Sequence, residues 1–244
     1  MTFMPPVRVL DGSFTILGGR VPRVVGLLVG LTLVATILGA VGARNGLPTV
    51  LQQGVLSPDL VWTGQVWRIV TWVFFELDAL SLVFGCLGLW WFGRDLYYAW
   101  GPTRLLGTYL GIAAATATLT CLVARLVWPA LLRADYVGMW PVVSALIIAW
   151  ATLHPHRDVF VYFVLPLRGR NLILATLGGT LLFALLDGVA RFVPHFIAQG
   201  LVLAYLNPPV ALQRLWQRAR LRQSQRRAPK LRVIERDEPP RWLH

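Results

Sequence analysis

The stretch VVGLLVGLTLVATILGAVGA, residues 24–43, decides the class of fold. It carries no charge and has the length of about 20 apolar residues that a helix needs to cross the hydrocarbon core of a bilayer. Working outward, further apolar runs follow at about 69–92, 104–122, 136–153, 171–186 and 192–206, and nearly every break between them carries arginine. Mean hydropathy is +0.61, and 14% of residues are charged, where soluble domains carry about a quarter. The chain reads as an all-α polytopic membrane protein with six crossings, and its chemistry has to be judged inside lipid.

That pattern divides the chain into an N-terminal arm (1–23), a membrane domain (24–207) and a basic tail (208–244). The first run has no cleavable-signal layout, because a mixed segment precedes it and no small-x-small site ends it, so it reads as a retained anchor. A long external loop, 44–67, follows, with Pro48, Gly54, Pro58 and Gly64 among its residues and tryptophans at 62 and 67. This mixture predicts an ordered amphipathic segment at the interface, where tryptophan is favoured. Span two is expected to end in Trp90-Trp91-Phe92, with Gly93–Pro102 as a short charged turn. The segment 154–170 reads as a connection whose apolar insert, 159–165, is too short to cross. Asn207-Pro208-Pro209 ends the last helix, because proline supplies no backbone donor.

The formal charge is +12. Its largest cluster is the tail, with Arg214, Arg218, Arg220, Arg222, Arg226, Arg227, Lys230, Arg232, Arg236 and Arg241. With both termini inside, 18 of the 23 basic residues are cytoplasmic, which predicts an N-in, C-in topology. The expected location is a bacterial inner (plasma) membrane, with the tail against anionic lipid or a cytosolic partner. Nucleic-acid binding is not expected, since no aromatic-interleaved module accompanies the charge. Cys86 and Cys121 both lie in apolar runs and read as small fillers rather than a disulfide. No metal-ligand pair and no cofactor motif is present, so neither a metal nor a cofactor is expected.

Polar groups inside the spans are costly unless paired, so they are the natural site candidates. They are Glu76, Asp78 and Ser81 in span two, Ser144 in span four and His195 in span six. Composition alone allows Ser144 and His195 as nucleophile and base. The plainer reading has Ser144 bonding back to its own helix, and His195, after Pro194 at a helix start, capping or packing. Glu76 and Asp78, two apart, point to different helix faces rather than forming an acid pair. Either they make polar contacts with another protein or with the external loop, or they mark a solvent-facing helix start near Trp67. No H-E-x-x-H, G-x-S-x-G, Walker or dinucleotide motif occurs.

In order and spacing, several strings resemble the rhomboid superfamily of intramembrane serine proteases. Gly64-Gln65-Val66-Trp67-Arg68-Ile69-Val70-Thr71 resembles its loop-to-helix entry, with Trp67 and Arg68 in structural roles. Leu89-Trp90-Trp91-Phe92-Gly93-Arg94-Asp95-Leu96 resembles the end of its second span, with Gly93 structural, followed by Trp100-Gly101 and Arg104. Residues 136–153 fall where its nucleophile helix belongs, and His195-Phe196-Ile197-Ala198-Gln199-Gly200 resembles its histidine helix. The likeness covers about 24–207 and implies a rhomboid-like six-transmembrane helix bundle.

Carried over residue by residue, the catalytic pattern fails. The family's Gly-x-Ser-Gly begins at Gly138 but continues Met139-Trp140-Pro141, so Trp140 takes the nucleophile position. An indole N–H donates but offers no nucleophilic lone pair. The histidine and asparagine that assist the oxyanion correspond to Ser81 and Gly85, and only His195 matches. Ser144, the fallback nucleophile, lies about 6 Å deeper along an ideal helix than Trp140. The resemblance therefore implies no catalytic residues and an inactive member of the superfamily. Such members, derlins among them, serve membrane-protein quality control or trafficking. Transmembrane client helices and membrane lipids are the expected partners, and Glu76, Asp78, Trp140 and His195 the candidate client contacts. The alternatives are an active protease with a non-standard site and a small transporter or channel.

Overall fold

The computed structural model describes residues 13–16, 19–47, 49–161 and 165–206. The tail, and with it the expected lipid or cytosolic contacts of 208–244, lies outside the described residues, as does most of the N-terminal arm. A hairpin of β1 (Ser13–Ile16) and β2 (Gly19–Pro22) leads directly into α1 (Arg23–Arg44). The external loop then forms two short helices, α2 (Thr49–Gly54) and α3 (Pro58–Trp62). Next come α4 (Arg68–Thr71), prolonged by a 3-10 turn over Trp72–Phe74, then α5 (Ala79–Trp100) and α6 (Pro102–Leu126). A 3-10 turn at Pro129–Arg133 precedes α7 (Trp140–Leu153). A second hairpin, β3 (Asp158–Val161) with β4 (Leu165–Arg168), joins it to α8 (Gly169–Asp187) and α9 (Val189–Leu206).

Four of these helices, α1, α6, α8 and α9, are long and apolar enough to cross a membrane, and α4 with α5 makes a fifth, broken candidate. The fold is an all-α polytopic membrane bundle of four to five long hydrophobic helices. Leu27, Leu31, Ile37 and Leu38 on α1 and Leu174, Leu181, Leu182 and Leu185 on α8 are exposed. In water such faces would be an aggregation liability; in lipid they meet a solvent as apolar as themselves.

The shorter α7 is the hub, packed by α5, α6, α8 and α9. It is buried on every face, with Pro141–Leu146 and Ile148–Ala151 all enclosed, as expected of a helix apolar all round.

Several boundaries differ from those expected. Span two is not continuous over 69–92: the chain bends by 98° between Phe74 and Ala79. The cause is local. Phe75 and Asp78 are both extended, and the Asp78 carboxylate accepts from the Ser81 N–H at 2.7 Å. That N-cap starts a new helix, so Glu76 and Asp78 lie in the break rather than on faces of one helix.

The charged turn expected at Gly93–Pro102 is also corrected, since α5 runs on to Trp100. Asp95 sits inside it because it is paired: its carboxylate accepts from Trp150 Nε1 at 3.1 Å and Arg157 Nη1 at 2.9 Å. The turn is Gly101 alone, at φ 84°, with Pro102 as the first residue of α6. Glycine reaches that φ without strain, and proline lacks only a donor the helix start does not use.

Span four starts at Trp140 rather than 136, which leaves α7 about 21 Å long. His195 is not at a helix start either; α9 begins at Val189 and runs through Pro194. The carbonyl that proline's missing N–H leaves free is that of Ala190, and Tyr136 Oη donates to it at 3.1 Å. A buried proline is tolerated in a membrane helix when another group satisfies the freed carbonyl.

Candidate functional site

The candidate residues gather around the N-terminus of α7, and the elements holding it can be followed outward. Arg68 is 4% exposed although it carries a full charge. Its guanidinium donates through Nη1 to the carbonyls of Gln52 and Val55, and through Nε to Gln65 Oε1 at 2.8 Å. Thr71 Oγ1 donates to the Gly54 carbonyl at 3.1 Å. These bonds fold the 52–55 segment against α4. The next residue, Leu56, exchanges backbone bonds with Tyr136, Leu56 N to Tyr136 O at 2.8 Å and Tyr136 N to Leu56 O at 2.9 Å. The external loop is thereby latched to the chain entering α7.

A second clamp comes from the break in span two. Gly138 N donates to the Trp72 carbonyl at 3.1 Å, and Met139 N donates to Glu76 Oε1 at 2.7 Å. Glu76 N in turn donates to Thr36 Oγ1 on α1 at 3.1 Å. Glu76 is only 8% exposed, so the expectation of a solvent-facing position is overturned for it. Its carboxylate stands at the positive end of α7 and takes one of the donors a helix start leaves unsatisfied. Gly138 adopts φ 117°, and a Cβ there would lie 3.1 Å from Glu76 Oε2. A side chain there would be both strained by the backbone and tight against the Glu76 carboxylate. Asp78, by contrast, is exposed and serves as the cap of α5.

Trp140 is the first residue of α7 and is half-buried. Gly85 of α5 faces it: a Cβ at that position would lie 2.7 Å from Met139 Sδ and 3.9 Å from Trp140 Nε1. Ser81 stands in the first turn of α5, its backbone bonded to Asp78. The positions suggested by resemblance at 85 and 140 do converge, but they bring together a glycine and an indole.

Ser144 is buried and its hydroxyl donates to the Pro141 carbonyl at 2.9 Å, the plainer of its two readings. The same oxygen accepts from Gln199 Nε2 at 3.2 Å, and Gln199 also donates to Thr180 Oγ1 at 2.7 Å. This chain ties α7, α8 and α9 together. Gln199 and Thr180 were not picked out as site residues by sequence, although Gln199 is a polar residue in an apolar run one turn beyond His195. His195 itself packs on Phe192 with ring centroids 4.9 Å apart, and its Nδ1 is buried without a hydrogen-bond partner. No hydrogen bond joins His195 to Ser144, so the fallback nucleophile and base are not brought together.

The remaining structural candidates sit as follows. Gly93 lies where α1 meets α5, a Cβ there falling 3.6 Å from Val25. Trp67 caps α4 and, like Trp62, is 50% exposed. Cys86 and Cys121 are free thiols. Among the described residues no three His, Cys, Asp or Glu side chains converge as metal ligands.

Residues 24–222 match the model of a family described as eukaryotic integral membrane protein (DUF1751), and the chain belongs to that family. Its description overturns the expected placement in a bacterial inner membrane, while membrane embedding stands. A search of curated proteins found no match.

Proposed function

Taking that membership as the premise, we propose that the protein is a rhomboid-like pseudoprotease, a six-crossing bundle that binds transmembrane segments of client proteins without cutting them. In this reading α1, α5, α6, α7, α8 and α9 are the crossings. One observation carries it: the enclosed helix α7 begins with the indole of Trp140, facing the bare backbone of Gly85. A tetrahedral intermediate would find no nucleophile at Trp140 and no side-chain donor at Gly85. The nearby hydroxyl of Ser144 is committed to Pro141 and Gln199.

The binding half of the proposal draws on the packing around α7. Helices α5 and α8 both lean on α7 and pack little against each other, which offers a client helix a lateral approach. At about 21 Å, α7 is shorter than the hydrocarbon core of about 30 Å, and its enclosure by neighbouring helices keeps it off the lipid. A role in membrane-protein quality control or trafficking, with the basic tail engaging anionic lipid or a cytosolic partner, fits this reading.

The test places a photo-reactive benzoylphenylalanine at position 140 in microsomal membranes. Capture of intact single-pass membrane proteins, dependent on the probe position, is expected. Capture of lipid alone would count against client binding. Separately, hydrolysis of a transmembrane substrate by the purified protein, abolished by His195→Ala, would overturn the non-hydrolytic half.

A further inference from the structure

Helices α6 and α9 part company at one end and leave a trough of about 410 Å³ between them. Its floor is Gly107, Gly111 and Ala115 of α6, and Leu201 of α9 forms a wall. At both floor glycines a Cβ would meet nothing within 4 Å. The trough is therefore real open space rather than a tight helix contact. Its mouth is polar: Arg104 Nη2 donates to Tyr205 Oη at 3.2 Å, and the guanidinium carbon lies 5.3 Å from the Trp100 ring centroid.

Three features select the occupant. The first is charge. The ion pairs among the described residues are Arg94–Asp95, Arg157–Asp95 and Arg168–Asp158, and none uses Arg104. Its cation is held in place by a neutral hydroxyl and an aromatic face, so its charge is oriented but not neutralised. Tyr205 accepts from Arg104 and keeps its own O–H to donate. The start of α6 adds the positive end of a helix dipole beside them. The second is length. From Arg104 to Ala115 the helix rises about 16 Å, close to one leaflet of a core about 30 Å thick. The third is width. With about 780 Å³ of empty space spread over that length, the trough is about 7 Å across, narrower than the 10–12 Å of a helix with its side chains.

We propose that this trough binds an anionic glycerophospholipid, with its phosphate at Arg104 and Tyr205 and one acyl chain along Gly107, Gly111 and Ala115. The site is independent of the client-binding reading and of the basic tail. A second copy of the chain packing its own helix there is the competing occupant, and the width argues against it.

The test uses the full-length protein extracted from mixed micelles of dioleoyl phosphatidylserine and dioleoyl phosphatidylcholine in equal amounts, with retained lipids counted by native mass spectrometry. The wild type is expected to keep one phosphatidylserine in preference to phosphatidylcholine. Arg104→Gln should lower that preference about fivefold, the worth of one cation near an anionic headgroup. Gly111→Leu and Gly107→Leu, whose side chains enter open space, should displace the lipid with melting temperature unchanged. Two glycine variants are used so that misfolding of one does not decide the matter. Retention unaltered in all three variants would overturn the proposal. So would equal retention of the two lipids by the wild type. A wild-type dimer that the leucine variants dissociate, with lipid retention unmoved, would overturn it in favour of the second copy.

Discussion

Removing the Glu76 carboxylate tests whether the clamp on α7 is what places that helix. In Glu76→Ala the Met139 N–H loses an acceptor 2.7 Å away in a site only 8% exposed. A buried bond to a charged acceptor is worth about 1.5–3 kcal/mol. The interaction with the α7 dipole adds about 0.3–1 kcal/mol. The expected loss is therefore roughly 2–4 kcal/mol, or about 5–15 °C in Tm for a chain of this size. Glu76→Gln keeps an amide oxygen for Met139 but gives up the charge, so it should lose about half as much. Gly138→Ala should cost about 1–2 kcal/mol from its left-handed backbone, plus a steric part from the carboxylate oxygen 3.1 Å away. That steric part vanishes when Glu76 is already alanine, so the double mutant should lose less than the two singles together. The assay is thermal unfolding in detergent, followed by loss of the monodisperse peak. Glu76→Ala within about 0.5 kcal/mol of wild type, or strict additivity with Gly138→Ala, would refute the reasoning.

Other changes probe neighbouring contacts. A methyl at Gly54 would overlap the Phe75 ring, so Gly54→Ala should cost about 1–3 kcal/mol in thermal unfolding, with partial rescue by Phe75→Leu. Arg68→Lys cannot reproduce three directed bonds to Gln52, Val55 and Gln65; it should lose about 1–3 kcal/mol and speed protease cleavage within 44–67. Tyr136→Phe uncovers the Ala190 carbonyl beside Pro194 and should cost about 1–3 kcal/mol, again read by thermal unfolding. Trp140→Ser restores a hydroxyl opposite Gly85 but no oxyanion donor, and should yield no detectable cleavage of a fluorogenic transmembrane substrate.

The apolar runs made α1, α6, α8 and α9 legible within a few residues, because a helix in lipid has to be apolar over its whole length. What the runs could not show is where a span breaks. Leu77 is apolar, so 69–92 reads as one stretch, and only the Asp78 cap on Ser81 betrays the new start. The end of α5 was hidden in the opposite way. Arg94 and Asp95 look like a turn until Asp95 is seen bonded to Trp150 and Arg157, 55 and 62 residues away. Ser144 bonding to its own helix was legible because that bond is local. Its second partner, Gln199, is 55 residues distant, and no local pattern announces it.

The same distinction orders the candidate site. Glu76 looked like a polar contact for a partner because its acceptor bond spans 63 residues. In place, it belongs with Arg68, Gly138 and Tyr136 as one set of contacts, all of which position the N-terminus of α7. Each of those groups has its partner made: carbonyls for Arg68, an amide for Glu76, a freed carbonyl for Tyr136. The groups that hydrolysis would need differ in kind. His195 Nδ1 has no partner, Ser144 is turned to its own helix, and Gly85 has no side chain to offer. In the proposed reading, a site whose positioning contacts are made and whose reacting positions are filled by an indole and a glycine would hold a helix in place without cleaving a bond. In the same reading, position 140 is where a client helix would meet that positioning, which the crosslink at that residue tests.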